Sequence, residues 1–189
     1  MKKIPTIFER DWAGDKSKVL PKPTEAHALL EGATATRKYD GTACLLRDNM
    51  LFKRYDCKKG KTAPTGFEPC GDADPETGHQ PGWIPVTDRP DDKWHMEAIA
   101  LGMDYFHNPF ENGTYELVGP KVQGNPENVA SSWLIPHGKT ILANVPTDFE
   151  GVKAFLAANE IEGIVWWKNG QPIAKIKRRD FGLQWPVKR

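Results

Sequence analysis

The pattern of apolar and polar positions is sharpest in the last quarter of the chain. In "TDFEGVKAFLAANE" the apolar residues Phe149, Val152, Phe155 and Leu156 recur at helical spacing, and Thr147 with Glu150 three positions on reads as a capping box. "EGIVWW" and "QPIAKIK" follow as two apolar-rich runs joined by "KNG", which predicts a pair of strands. Earlier, "TATRKYDGTACLLR" and "MLFKRYD" read as strands with "RDN" as the turn between them, and "GTYELVG" as another short strand. "KPTEAHALLEG" predicts a short helix with Thr24 as N-cap and Gly32 at its end. "DDKWHMEAIALGM" predicts a second helix, starting at Asp91 or Asp92. Residues 58–92 lack either period and are dominated by Pro, Gly and Asp, so an irregular insert is expected there. The elements together predict an α+β fold with largely antiparallel sheets.

Composition narrows this picture only a little. A chain of 189 residues fits one domain, or one domain with an elaborate insertion, and 39% hydrophobic residues suffice for a core. Seventeen glycines and sixteen prolines favour short strands and loops. A net charge of +1 excludes a global field drawing the chain to nucleic acid or anionic lipid, so local clusters must carry any such attraction. No apolar run follows "MKK" and no stretch is long enough to span a membrane. Three cysteines, Cys44, Cys57 and Cys70, without a leader suggest a reducing, cytoplasmic setting and no membrane partner.

Several motif-like stretches fail on inspection. "CKKGKT" ends like a phosphate-binding loop, but Tyr55 stands where its first glycine is required. His95 and Glu97 have the His-x-Glu spacing of zinc deaminases without the cysteine pair that should follow. "DADPETG" has a misplaced glycine for a calcium loop, and the cysteines with His79 lack paired zinc spacing.

Lys38, separated from Asp40 and Gly41 by Tyr39 alone, poses the chemical question. An ordinary lysine, with a pKa of roughly 10.4, is protonated and cannot attack an electrophile. Burial or neighbouring cations would release its lone pair. Lys175 and Lys177 in "AKIKRRD" alternate with Ile176 and so share one strand face, where two ammonium groups suit a triphosphate. Alone, that pair reads more readily as a solvent-facing strand edge whose lysines discourage aggregation. Glu116 and Glu162 each lie in an apolar strand context, where a carboxylate is costly unless it meets a cation or donor.

The order of these stretches resembles the covalent nucleotidyltransferase superfamily of ATP-dependent ligases and capping enzymes. "KYDG" looks like its motif I, "KRYD" motif Ia, "YELVG" motif III, "EGIVWWK" motif IV and "AKIK" motif V, covering about residues 33–178. "YELVGPKVQGNPE" and "LIPHG" are most similar to small ATP-dependent RNA ligases. The resemblance implies a single adenylation domain over 1–189, an ATP-grasp-like core of antiparallel sheets flanked by helices, with no C-terminal OB domain. It implies that Lys38 attacks the α-phosphate of ATP, that the resulting lysyl-AMP passes AMP to an RNA 5′-phosphate, and that a 3′-hydroxyl then seals the RNA. Within that scheme Lys175 and Lys177 clamp the α-phosphate, and Asp40 fixes the turn and orients Lys38. Gly41 lets the backbone turn tightly. Arg54 and Glu116 read ribose hydroxyls, Val165 packs on the adenine, and Glu162 with Glu116 holds Mg²⁺, for which Mn²⁺ can substitute. The second adenine face falls to Trp133, Leu134 or Ile135. From Lys168 to Arg189 seven basic residues face one acid, Asp180, a patch expected to hold RNA phosphates while Trp166, Trp167 and Trp185 stack on bases. The acidic stretch from Glu68 to Asp92 is expected to act as a lid or strand-guiding flap. Ala43 departs from the Asn that phage-type RNA ligases carry two residues after the motif I glycine. A protein partner for end recognition is a further expectation. The alternatives left open are a DNA-nick ligase, a GTP-dependent guanylyltransferase, and a non-catalytic nucleotide or RNA-end binding module.

Overall fold

The structure, a computed structural model, describes residues 4–187. The "MKK" start and two of the seven basic residues of the terminal patch, Lys188 and Arg189, lie outside the described residues. The chain divides into two compact units. One, the terminal unit, combines Ile4–Tyr39 with residues 138–187; the other, the central unit, is Asp40–His137.

The terminal unit begins with strands β1 (Phe8–Arg10), β2 (Val19–Pro23) and β3 (Thr34–Lys38). The central unit supplies β4 (Thr42–Arg47), β5 (Met50–Cys57), β6 (Glu68–Pro69), β7 (Gln80–Pro85), helix α1 (Lys93–Ala100), β8 (Gly113–Val118) and β9 (Trp133–Pro136). The terminal unit then resumes with α2 (Phe149–Ala158), β10 (Gly163–Lys168) and β11 (Gln171–Lys177). The expected α+β class with antiparallel sheets is what is found.

In the terminal unit a three-stranded sheet runs β11-β10-β3, all antiparallel. Strand alternation sends Ala35, Ile164, Trp166, Ala174 and Ile176 to one face, where they pack with Val152 and Leu156 of α2 and with Ile7 and Phe8. Both outer edges of this sheet are covered. Ile7 and Pro5 bond the backbone of Lys175, and Thr140 and Leu142 bond β3. Helix α2 starts one residue later than expected. Asp148, not Thr147, is its N-cap, and its carboxylate accepts from the Gly151 amide at 2.9 Å. An aspartate at that position reaches the free amide directly, so no Thr–Glu box forms. The predicted helix after Thr24 is a short 3-10 turn, Glu25–Leu29, because the Thr24 hydroxyl donates to Thr6 instead of capping.

The central unit is a six-stranded sheet in the order β6-β7-β5-β4-β8-β9. The run read as one strand from Thr34 to Arg47 is two, because the chain leaves the terminal unit after Tyr39 and enters the central one at Asp40. The insert is not wholly irregular. Its β7 pairs with β5 over six residues and buries Trp83. The core face of this sheet carries Cys44, Leu46, Leu51, Tyr115, Leu117 and Leu134 under α1.

Candidate active site

The register of the terminal sheet arranges the expected phosphate residues. Lys38, Gly163 and Lys177 lie side by side across three strands, and Thr36, Val165 and Lys175 form the next row. Residues two apart on a strand share a face, so all three lysines and Val165 lie on the face opposite the core. Glu162, immediately before β10 and 5% exposed, reaches into this group. One of its oxygens accepts from the Lys38 ammonium at 2.5 Å, and the other lies 3.4 Å from Lys177. Gly163 is required between the two lysine strands, since a Cβ there would stand 2.2 Å from the Ile176 carbonyl.

Three ammonium groups gather on this face, and the Asp180 and Glu162 carboxylates offset their charge only in part. The strain falls on Lys175. Burial, then the Lys177 and Lys38 charges, push its pKa down to about 8 from the ordinary 10.5. Ammonium groups held together at an unfavourable potential on a buried face are a feature of anion sites rather than of stable cores. The chemistry of the set fits a polyphosphate.

The central unit carries a second expected group, on the sheet face away from its own core. Ala43, Glu116 and Ile135 lie in one row, and Arg54 falls opposite Ala43 by continuation of the β4–β5 register. The Arg54 guanidinium lies 5.5 Å over the Trp83 ring and donates to the Cys70 sulfur at 3.0 Å. The buried Glu116 carboxylate accepts from the Gly41 amide at 3.0 Å and meets Nε2 of His137 at 2.9 Å. Beside it, Glu127 accepts from the Asp40 amide at 2.8 Å. Two carboxylates thus hold consecutive amides of the turn after the "KY" pair. Gly41 has no left-handed backbone; its reason is close approach, because a Cβ would lie 2.0 Å from the Leu117 carbonyl.

His137 and Glu127 were not anticipated. Both stand in stretches that resembled RNA ligases, "LIPHG" and "GNPE", and β alternation puts His137 on the face of Ile135 and Glu116. Other expectations need correction. Trp166 and Trp185 are 2% and 7% exposed and pack inside, so neither offers a face to a base. Arg178 is buried, with its guanidinium spent on the carbonyls of Leu156, Asn159 and Gln184. Leu134 lies on the core face of the central sheet, and Ile135 is fully buried. Trp133 stacks edge-on with Tyr105 and His107. No group of three or more His, Cys, Asp or Glu side chains able to hold a metal is found among the described residues. No helix among them is long and apolar enough to cross a membrane.

Comparison with known proteins points the same way. A family model described as RNA ligase 1 matches residues 103–189. RNA ligase 1 of Rattus norvegicus is 25% identical over 271 aligned positions, covering 98% of this chain and 82% of that protein. The chain is similar to RNA ligase 1 proteins. The Mus musculus RNA ligase 1 matches over the same shares at 25% identity, and that of Pongo abelii reaches 31% over 59% of this chain and 43% of that protein. The likeness to RNA ligases drawn from the motifs is thereby borne out. The rodent alignment is longer than the 189 residues of this chain, so the rat protein carries inserted segments within it. The family span contains Glu116, His137, Glu162, Lys175 and Lys177, while Lys38 and Arg54 precede it.

Proposed function

We propose that this chain is an ATP-dependent RNA ligase that joins 5′-phosphate and 3′-hydroxyl RNA ends through a lysyl-AMP on Lys38. The observation that carries the reading is the face of the terminal sheet, where Lys38, Lys175 and Lys177 gather and the Glu162 carboxylate meets Lys38 and Lys177. The likeness to proteins named RNA ligase 1 supports the choice of RNA.

In the first step the neutral Lys38 amine attacks the α-phosphorus in line. The N–P bond forms, the bond from that phosphorus to the bridging oxygen of pyrophosphate breaks, and pyrophosphate leaves with the electron pair. The ammonium must first lose a proton to solvent, and the Glu162 oxygen 2.5 Å away holds the nitrogen in position. Lys175 and Lys177 then neutralise charge on the α-phosphate oxygens, where positioning and electrostatics account for most of the acceleration. Val165 lies in the same row as Lys175 and offers the base an apolar surface. In the second step an RNA 5′-phosphate oxygen displaces Lys38 from AMP. In the third, a 3′-hydroxyl attacks that 5′-phosphate and AMP departs.

Mg²⁺ is usually held by one or two carboxylates together with the phosphates it serves. Glu162 is the residue that would hold it here, and it would supply further neutralisation of the triphosphate. Glu116, already engaged by Gly41 and His137, is assigned to ribose recognition with Arg54.

Intact-protein mass measurement after incubation with ATP and Mg²⁺ tests the proposal. A denaturation-stable AMP adduct on the wild type, absent from Lys38→Ala and reversed by pyrophosphate, is expected. An adduct with GTP alone would move the chain to capping-type chemistry. Sealing of nicked DNA in preference to RNA would overturn the choice of polynucleotide. Absence of any adduct on folded protein would favour a binding module.

A further inference from the structure

We infer that His137 is a positioning residue for Glu116, and that the pair, rather than Glu116 alone, lets this chain discriminate a ribonucleotide from its deoxy analogues. The inference rests on the proposed role of Glu116 toward ribose and extends it to a residue outside the five motifs.

The argument begins with the carboxylate. Glu116 is 8% exposed, and the bonds it makes among the described residues are one to each oxygen. The Gly41 amide donates to Oε1 and His137 Nε2 meets Oε2. A carboxylate offers about four lone-pair sites, two on each oxygen. One site on each oxygen is therefore filled and one on each remains. Two neighbouring acceptor sites of this kind match the paired donors of a vicinal cis-diol, as ribose carries at its 2′ and 3′ positions.

The match depends on the carboxylate plane being fixed, since rotation about its last torsion would move both free sites. Gly41 fixes one oxygen, and it is itself locked by the approach of its backbone to the Leu117 carbonyl. His137 fixes the other. Because an ionised carboxylate only accepts, Nε2 carries a proton and donates it to Glu116, which leaves Nδ1 as the other polar atom of the ring. That Nδ1 is buried and has no hydrogen-bond partner among the described residues. The Glu116 bond is thus the polar anchor of the ring, so ring and carboxylate orientations are set together. The backbone holds the histidine in place for this, as the His137 amide donates to the Thr114 carbonyl and continues the β8–β9 ladder beyond Pro136. Removing the imidazole leaves Oε2 free to turn.

Calorimetric titration with ATP, 2′-deoxy-ATP and 3′-deoxy-ATP tests this on wild type, His137→Leu and His137→Gln. Hydrogen bonds to charged groups are worth enough for wild type to bind ATP on the order of tenfold tighter than either analogue. The leucine variant is expected to bind all three within about twofold of one another, and glutamine, whose amide can donate to Glu116, to restore part of the preference. If the leucine variant does not fold, His137→Asn, too short to reach the carboxylate, carries the same expectation. A leucine or asparagine variant that keeps the wild-type ratios would overturn the inference. The outcomes also separate it from the proposed function. An AMP adduct with a ribose preference indifferent to residue 137 leaves the ligase reading standing and removes this one. Diol discrimination that depends on His137 without any adduct does the reverse. Wild-type protein that binds no nucleotide removes both.

Discussion

Replacing Lys175 with methionine is expected to make the empty protein more stable while abolishing adenylation. The ammonium of Lys175 is partly buried on β11, and burial together with Lys177 and Lys38 lowers its pKa from 10.5 to about 8. At about 1.4 kcal/mol per tenfold change in proton affinity, that fall corresponds to roughly 3 kcal/mol. Water reaching the partly exposed ammonium screens part of this, leaving about 1–2 kcal/mol as the cost of keeping the charge there. The backbone of residue 175 keeps its bonds to Pro5 and Ile7 whatever the side chain, and methionine fills a similar volume.

The sign can be followed through pH. Below about pH 8 both folded and unfolded chains hold the Lys175 proton, and the full cost is present. From about 8 to 10.5 the folded chain sheds a proton the unfolded chain keeps, so wild-type stability rises relative to the variant. Above 10.5 neither state is charged at this side chain and the difference closes. Urea unfolding of both proteins near pH 7 is expected to show the methionine variant ahead by about 1–2 kcal/mol, roughly 2–8 °C in Tm. The gap should narrow at higher pH. A methionine variant less stable than wild type near neutral pH, or a gap that does not change with pH, would refute the reasoning. The same variant should form no AMP adduct, because the repulsion it removes is the feature that a phosphate relieves.

Glu162→Gln removes the charge shared by Lys38 and Lys177 and is expected to slow adduct formation by roughly 10- to 100-fold, the value of hydrogen bonds to charged groups, read from a single-turnover time course. His95 on α1 is buried with neither ring nitrogen bonded among the described residues, and burial, with Lys53 adding to it, lowers its pKa despite the opposing pull of Asp92. Its folded pKa therefore lies below the unfolded value of 6.5, and stability is expected to fall as pH drops through and below that value. Melting curves of His95→Leu should show a flatter acid limb, and an acid limb as steep as that of wild type would count against the assignment. Asp148→Ala should cost about 1 kcal/mol in urea unfolding through loss of the α2 cap, with the yield of AMP adduct unchanged.

The parts of the fold that were legible are those where local chemistry and tertiary position agree. "RDN" makes its turn with Asp48 and Asn49 both left-handed, and "KNG" with Asn169 and Gly170, as two-residue hairpins require. The apolar stripe of α2 is buried as its spacing implied. Legibility failed where proline or a competing side chain intervened. Pro81 and Pro85 bracket β7 and hide it, since proline cannot donate to a ladder and reads as a loop residue. Trp185 and Arg178 looked like nucleic-acid residues because charge and aromatic content near a terminus carry no information on burial. Whether an arginine meets phosphate or three backbone carbonyls is decided by the turn that follows β11.

The candidate site shows a further reason why sequence reaches only part of the way. Lys38 and Glu162 are 124 residues apart and become neighbours through strand register alone. The "EG" pair at the start of β10 has a physical basis that a motif match does not state. Glu162 delivers the carboxylate, and Gly163 allows β10 to lie against β11 closely enough for Lys177 to share it. The "DG" pair works alike in the other unit, where Gly41 presses on β8 and its amide takes hold of Glu116. In both cases the glycine serves a close approach rather than a turn, and a neighbouring carboxylate is held in position by it. His137 completes the second arrangement by the same alternation rule that groups the lysines of the first. It stands two residues from Ile135, just past the end of a strand paired with "YELVG", and the register that connects it to Glu116 is a property of the sheet and not of either segment.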